Sequence, residues 1–382
     1  MAEHCCSGRS GGDSQLRDAL INEFCEMARI DAESGHEGAI SELAKAKLRE
    51  LGFDVIQDDA GRKFGGEAGN VIGRLPGARG SAPIMLCAHL DRVVPGRGVK
   101  PVVKGDLLVS GGDTVLAADD LSGVVGILAG VRLAKAVRAD LPPIEVVFTV
   151  SEERGLSGAS NLDYSAVTSR SAYVLDSSSP VGTVILSSPT HVGLDVTVIG
   201  RAAHAAVNPQ DGLSAIQVAA HAIAQIPFGW VDERSTANIG IISGGSATNI
   251  VCEQVAIKGE VRSLDGARAS ELAEEYGRRF HDTAARFGAT ARVAAELHYR
   301  GYSIPRDAAV VKRVHEAIRK IGREAAFEST MGGSDGNIFN TRGIETVVLG
   351  TGAEQVHSTR ETQSISELVT TAELVREIIL AG

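Results

Sequence analysis

No two cysteines of this chain stand in a CxxC spacing, and the total is five, an odd number. That count argues against a disulfide framework and, more strongly, against a thiolate zinc site. Cys87, inside the apolar run "PIMLCAHLD", reads as a small buried hydrophobe. Long apolar runs are missing too: none approaches the roughly 18 residues that a membrane helix needs. The N-terminal "MAEHCCSGRSGGDSQ" lacks the basic-then-apolar order of a signal peptide and reads as a flexible lead-in. The expected location is the cytoplasm. Positive charge is in deficit, 38 basic residues against 48 acidic ones, for a net charge of −10. Nucleic acid and anionic membranes are therefore poor candidates for the main partner. Internal repeats and low-complexity stretches are absent. What is present is ordinary globular composition, 43% hydrophobic and 23% charged, on 382 residues, a length that suits two domains better than one.

From about Leu16 to Gly52 apolar residues recur at threes and fours, a helical pattern stopped by glycine. "GNVIGRLPG" reads as a strand and turn. "APIMLCAHLD", "PPIEVVFTVSEE" and "SAYVLDSSS" read as strands buried on both faces. "LSGVVGILAGVRLAKAV" is a helix whose small residues suit close packing on a sheet. Strands alternating with helices predict an α/β layered domain with a largely parallel sheet. From about Ser187 the texture changes: "HVGLDVTVIG" alternates like a half-exposed antiparallel strand, and the order that follows, β-α-β-β-α-β, is the ferredoxin-like unit. After Tyr302 the style of the first domain returns. We therefore expect an α/β domain formed by residues 1–185 and 301–382, with a second domain inserted at 186–300.

Several segments of the first domain end in potential metal ligands. The strand ends of "CAHLDRV", "LAADD", "SEE" and "LDSSS" supply His89, Asp91, Asp119, Asp120, Glu152, Glu153 and Asp176, and "EQVHSTRE" adds His357. In open α/β sheets, sites form in the crevice at the carboxyl ends of the strands. Each residue alone has a plainer explanation: Asp176 as a turn residue, His89 as a core histidine, Asp119 as a helix N-cap. Together they would repel severely unless cations balance them. Imidazole and carboxylate without thiolate suit zinc, manganese or cobalt. A carboxylate between two such ions holds them close enough to activate water, and a further unligated carboxylate can carry the proton. The adjacent Glu152 and Glu153 read as that division of labour.

The motifs "AHLDRVVPG", "TVLAADDLSG", "VSEERGLSGA", "GRAAHAAVNPQDGLSAI", "SGGSATNIV" and "GGSDGNIFNTRG", with the late His357, resemble the M20 family of di-zinc metallopeptidases, its peptidase T-like (tripeptidase) branch in particular. The resemblance covers the chain from about residue 18. It implies a zinc-exopeptidase-like three-layer α/β domain with an inserted ferredoxin-like lid or dimerisation domain, a homodimer joined through that insert, and two divalent ions per subunit, zinc foremost. By motif position one ion would be held by His89, Asp119 and Asp176, the other by Asp119, Glu153 and His357, with Asp119 bridging. Glu152 would be the general base, and Asp91 would orient His89. The peptide between Asp119 and Asp120 is expected to be cis. His204 would reach the partner subunit's site and support the oxyanion, while Asn249 and Arg262 would bind substrate; a turn residue and a strand-edge salt bridge are the plainer readings of the last two. His191, His221, His281, His298 and His315 match no ligand position and read as surface or helix residues. In "MGGSDGNIF" glycines precede a Ser334/Asp335 helix cap. Against the family pattern, Leu121 stands where a lysine is usual, and "HLDR" replaces "HLDT", with Arg92 beside the site and able to alter preference.

The function implied is removal of the N-terminal residue from short peptides, tripeptides first. Other activities of the family remain open: dipeptidase, carboxypeptidase or N-acyl-amino-acid amidohydrolase. From a different class, a metal-binding homologue without activity remains, against which the intact Glu152 argues.

Overall fold

The computed structural model describes residues 11–381; the start of the N-terminal lead-in lies outside them. The chain divides into two compact units, one built from the chain up to Leu186 with Ile304–Glu328 and from Ser334 onward, the other from Ser187–Ser303 and Ser329–Gly333.

In the first unit, the four strands Ile144–Thr149, Ile84–His89, Ser171–Ser177 and Glu345–Gly350 lie side by side and parallel. Antiparallel strands flank them: Val71–Leu75 and Asp54–Gln57 on one side, Thr183–Ser188 on the other. The first two parallel strands are buried at every residue, the consequence of cover on both faces. Ile84, Leu86 and Ala88 join the large core, and the alternate Met85 and Cys87 point the other way. Helix Ala118–Val137 packs on the sheet and against the C-terminal helix Ile365–Leu380. Glycine permits both approaches. A Cβ at Gly123 would sit 2.4 Å from the carbonyl oxygen of Leu175, and one at Gly126 would sit 2.5 Å from Thr371 Cγ2. The helical pattern expected from Leu16 to Gly52 is broken into Gly11–Ala28 and Gly38–Glu50, with a turn between them. A small antiparallel sheet, Ala353–Glu354, Thr362–Ser364, Leu107–Ser110 and Pro101–Lys104, was not legible in the sequence.

The second unit is one antiparallel sheet with two helices. Its strand order is Gly229–Asp232, Ser235–Gly244, Gln254–Ser263, Thr190–Ile199, Thr290–Tyr299, the ferredoxin-like arrangement with one extra edge strand. Val192, Leu194, Val196 and Val198 alternate inward along Thr190–Ile199. They meet Leu272, Tyr276 and Phe280 of helix Gly266–Phe287, which Asp265 caps at its start and Gly288, at φ 72°, closes in the left-handed region.

Candidate metal centre

His89 ends a central strand, Asp176 lies near the end of its neighbour, and Glu152 and Glu153 follow a third. Asp119 corrects the expectation that it, too, ends a strand. It stands after an irregular stretch at the start of helix Ala118–Val137, with non-helical φ/ψ and a cis bond to Asp120. Nor is Asp119 the cap: Asp120 accepts from the amides of Gly123 and His89, both at 3.1 Å. That leaves Asp119 free to present both carboxylate oxygens. Oδ1 lies 3.1 Å from His89 Nε2, and Oδ2 lies 3.1 Å from His357 Nε2. Asp176 Oδ1 is 3.9 Å from His89 Nε2, and Glu153 Oε1 is 2.8 Å from His357 Nε2. Two groups of donor atoms result, His89 with Asp119 and Asp176, and Asp119 with Glu153 and His357; within each, all atoms lie within 4.8 Å of one another. His89, Glu152 and Glu153 form a third such group.

These residues fit a pair of divalent ions on the chemistry of the donor set and on one further observation. Glu153 Oε1, though close to His357, is buried without an aligned hydrogen bond, as expected of two ligands converging on one ion. The electrostatics agree. Burial, reinforced by Asp176, pushes the Glu152 carboxyl well up from its usual range. Burial, with Asp119 adding repulsion, does the same to Asp176. The Asp119 carboxylate, 3.1 Å from the ring, and that of Glu153, at 2.8 Å, raise His357 to about 10. Two acids that resist ionising and an imidazole that holds its proton describe a cluster short of positive charge.

Around the donors stand buried groups that fix them. Asp91, 1% exposed, accepts from the amides of Glu152 (2.9 Å) and Glu153 (3.2 Å) and from Ser34 Oγ (2.6 Å). His89 Nδ1 is held at 3.0 Å by the main-chain carbonyl of Asp91, closer than the 3.5 Å to its carboxylate. Asp91 thus steadies the glutamate turn as well as the histidine. Glu361 was missed by the sequence reading. Its carboxylate, 2% exposed, accepts from the amides of Leu116 (2.7 Å), Ala117 (2.8 Å) and Asp119 (2.9 Å). Its only sequence signal is its position four residues after His357. Ser334 caps helix Asp335–Thr341 with Asn337 in a reciprocal box, whereas Asp335 is buried and accepts from Thr149 Oγ1 at 2.5 Å. Arg92 does not face a substrate: it is 1% exposed and donates to the carbonyl of Ala28.

The second unit carries the other candidates. His204 is exposed, and its Nδ1 accepts from the amides of Ala206 and Val207, both at 3.2 Å, which leaves the proton on Nε2. Asn249 is exposed, and its carbonyl accepts from the amide of Ala205 at 2.9 Å, so the two segments run together. Arg262 is engaged: Nε and Nη2 each lie 3.1 Å from the Glu260 oxygens, and Nη1 donates to the carbonyl of Met331 at 3.2 Å. The strand salt bridge, its plainer reading, is present. His191 departs from expectation. It is on strand Thr190–Ile199, half-buried, 3.1 Å from Glu260 and stacked on His298. With His191 and Arg262 beside it, Glu260 is held down to about 2.

Comparison with known proteins gives this arrangement its relatives. A family profile described as peptidase dimerisation domain, of the M20 peptidases, matches residues 187–286, and one described as peptidase family M28 matches residues 70–226. A Bacillus subtilis protein, YqjE, is 40% identical over 94% of this chain and 97% of its own length. The crystal structure of an aminopeptidase PepT from Bacillus cereus shares 38% identity, with a TM-score of 0.88, over 96% of this chain and 98% of its own. A tripeptidase from Staphylococcus aureus shares 38% identity, with a TM-score of 0.91, over 95% and 97%. The chain belongs to the M20 peptidase family, in its peptidase T-like branch. As an M20 peptidase it is a hydrolase, and the fold expected of it, an α/β domain with a ferredoxin-like insert, is the fold found. Among the described residues no helix is long and apolar enough to cross a membrane.

Proposed function

We propose that this protein is a two-metal aminopeptidase that removes the N-terminal residue from short peptides, tripeptides foremost. The observation that carries the reading is the pair of donor groups sharing Asp119, with Glu152 beside them. His89, Asp119 and Asp176 would hold one divalent ion, and Asp119, Glu153 and His357 the other; zinc suits this donor set, as do manganese and cobalt. When bound, such a pair activates water and polarises a carbonyl.

Glu152, buried beside the donor groups, takes the proton from the attacking water and returns it to the departing amine. Asp91 holds the amides of Glu152 and Glu153, so that the base and the ligand keep fixed positions. His204 offers an Nε2–H donor to the developing oxyanion, contributed to the second subunit of a homodimer. Asn249 and Arg262 contact the substrate, Arg262 with a guanidinium that Glu260 already orients. The dimer reading is supported by the edge of strand Ser235–Gly244. Beyond Ala237 only one side of it is paired among the described residues, and Ile241 and Ile242 stand more than half exposed.

Similarity to an aminopeptidase and a tripeptidase at 38% identity supports the substrate class. The test is a panel of free and N-acetylated tripeptides and dipeptides, run with added zinc, manganese or cobalt. Turnover of free tripeptides is expected; turnover of the blocked peptides alone would overturn the aminopeptidase reading.

A further inference from the structure

Two adjacent strand residues point to opposite faces of a sheet, so Glu152 and Glu153 cannot both enter one crevice by continuing strand Ile144–Thr149. The chain solves this one residue earlier. Ser151 has φ 51°, a left-handed conformation that a side chain with Cβ disfavours. Ser151 is completely buried, and its partner is a carboxylate from a distant turn. Glu37 Oε1 accepts from the Ser151 amide at 2.9 Å and from its hydroxyl at 2.8 Å, and also from the Gly35 amide at 2.8 Å. The Glu37 side chain is itself fully buried, with Oε2 unpartnered. The same turn contributes Ser34, which donates to Asp91, the carboxylate that receives the Glu152 and Glu153 amides. The turn "ESGHE" between the first two helices therefore grips three consecutive residues, 151 to 153, Ser151 directly and the two glutamates through Asp91.

We propose that Glu37 is a positioning residue: it locks Ser151 in the left-handed conformation that turns both glutamates into the metal crevice. The assignment of roles to the two glutamates rests on the two-metal reading above; the clamp itself rests on Glu37 and Ser151. Only Oε1 of Glu37 is used, so a glutamine serves as well, whereas alanine leaves the serine to relax toward the ordinary backbone region. Glycine, which adopts positive φ freely, needs no clamp.

The test is a calorimetric titration of manganese into metal-stripped full-length protein, with thermal unfolding recorded for each variant. Glu37→Ala is expected to weaken the second ion about five- to thirtyfold, the factor that corresponds to the cost of one left-handed non-glycine residue. Glu37→Gln should bind both ions like the wild type, and Glu37→Ala with Ser151→Gly should regain most of the loss. Wild-type affinities in Glu37→Ala, or no recovery in the double variant, would overturn the proposal. If Glu37→Ala does not fold, Ser151→Gly and Ser151→Ala decide it in the native background. Both lose the hydroxyl, and the glycine should bind the second ion more tightly; the reverse order overturns the clamp. A wild type that binds two ions yet cleaves no peptide would sink the peptidase reading while leaving this series decisive.

Discussion

At the scale of the residue, the two glutamates are chemically identical and locally adjacent, yet their surroundings separate them. Glu153 lies 2.8 Å from His357, while Glu152 is buried with Asp176 as the neighbour that most opposes its ionisation. Glu152→Gln should therefore keep both ions and lose at least about a hundredfold in turnover, the scale of a proton-transfer role. Glu153→Gln should instead lose affinity for one ion, with turnover recovering at high metal; metal binding and kinetics measured on both variants check this. Glu361→Ala removes the acceptor of three buried amides and should cost about 3 kcal/mol or more in urea unfolding of the metal-free protein, since each stranded donor costs about 1–3 kcal/mol. A variant as stable as the wild type would mean that the Asp119 loop does not depend on Glu361. The ligand types were legible in the sequence because metal chemistry restricts them to a few side chains. Glu361 and Glu37 were not, because a buried carboxylate that serves main-chain amides or a distant hydroxyl leaves no pattern of its own.

At the scale of the element, legibility followed length and periodicity. Most long strands and helices of both units appear where the apolar patterns put them; the strand Thr183–Ser188 was not read from the sequence. Gly229–Asp232 and the strands of the small sheet run only two to four residues, too few for alternation to register. Strand Gln254–Ser263 sets Arg262 opposite His191 of its neighbour, so Glu260, two residues along, meets the ring diagonally, a contact that register alone decides. Because Glu260 is held to about 2, it favours the folded state at pH above its unfolded value near 4.3, and that contribution drains away as pH falls from there toward 2. Partial exposure keeps it modest. Thermal midpoints of wild type and Glu260→Gln should thus converge through this window, and parallel curves would refute the pairing as an ionic one. The open edge beyond Ala237 makes a separate prediction. Lysines at Ile241 and Ile242 should shift a dimer to monomer in light scattering while leaving the monomer folded, because charge on an edge strand opposes pairing with a second copy.

At the scale of the whole molecule, the metal centre is assembled by segments far apart in the chain, from His89 to His357. Ions that bind only this assembled set must stabilise the folded chain, by about 2.7 kcal/mol at a hundred times the dissociation constant. A chelator should lower the thermal midpoint, and readdition of manganese or zinc should restore it; a midpoint indifferent to metal would contradict the assignment of the donor groups. By itself the sequence determined the layering, because hydrophobic period separates buried parallel strands from half-exposed antiparallel ones. It also offered several of the candidate donors, because acids and histidines recur near strand ends, where an α/β sheet opens to solvent. The tertiary structure alone decided how those donors are aimed. Asp119 faces two histidines at once only because Asp120 caps the helix in its stead and Glu361 fixes its loop. Glu152 and Glu153 share a crevice only because a turn more than a hundred residues upstream holds Ser151. Such bonds join residues with no periodic relation, so they exist only once the chain has folded.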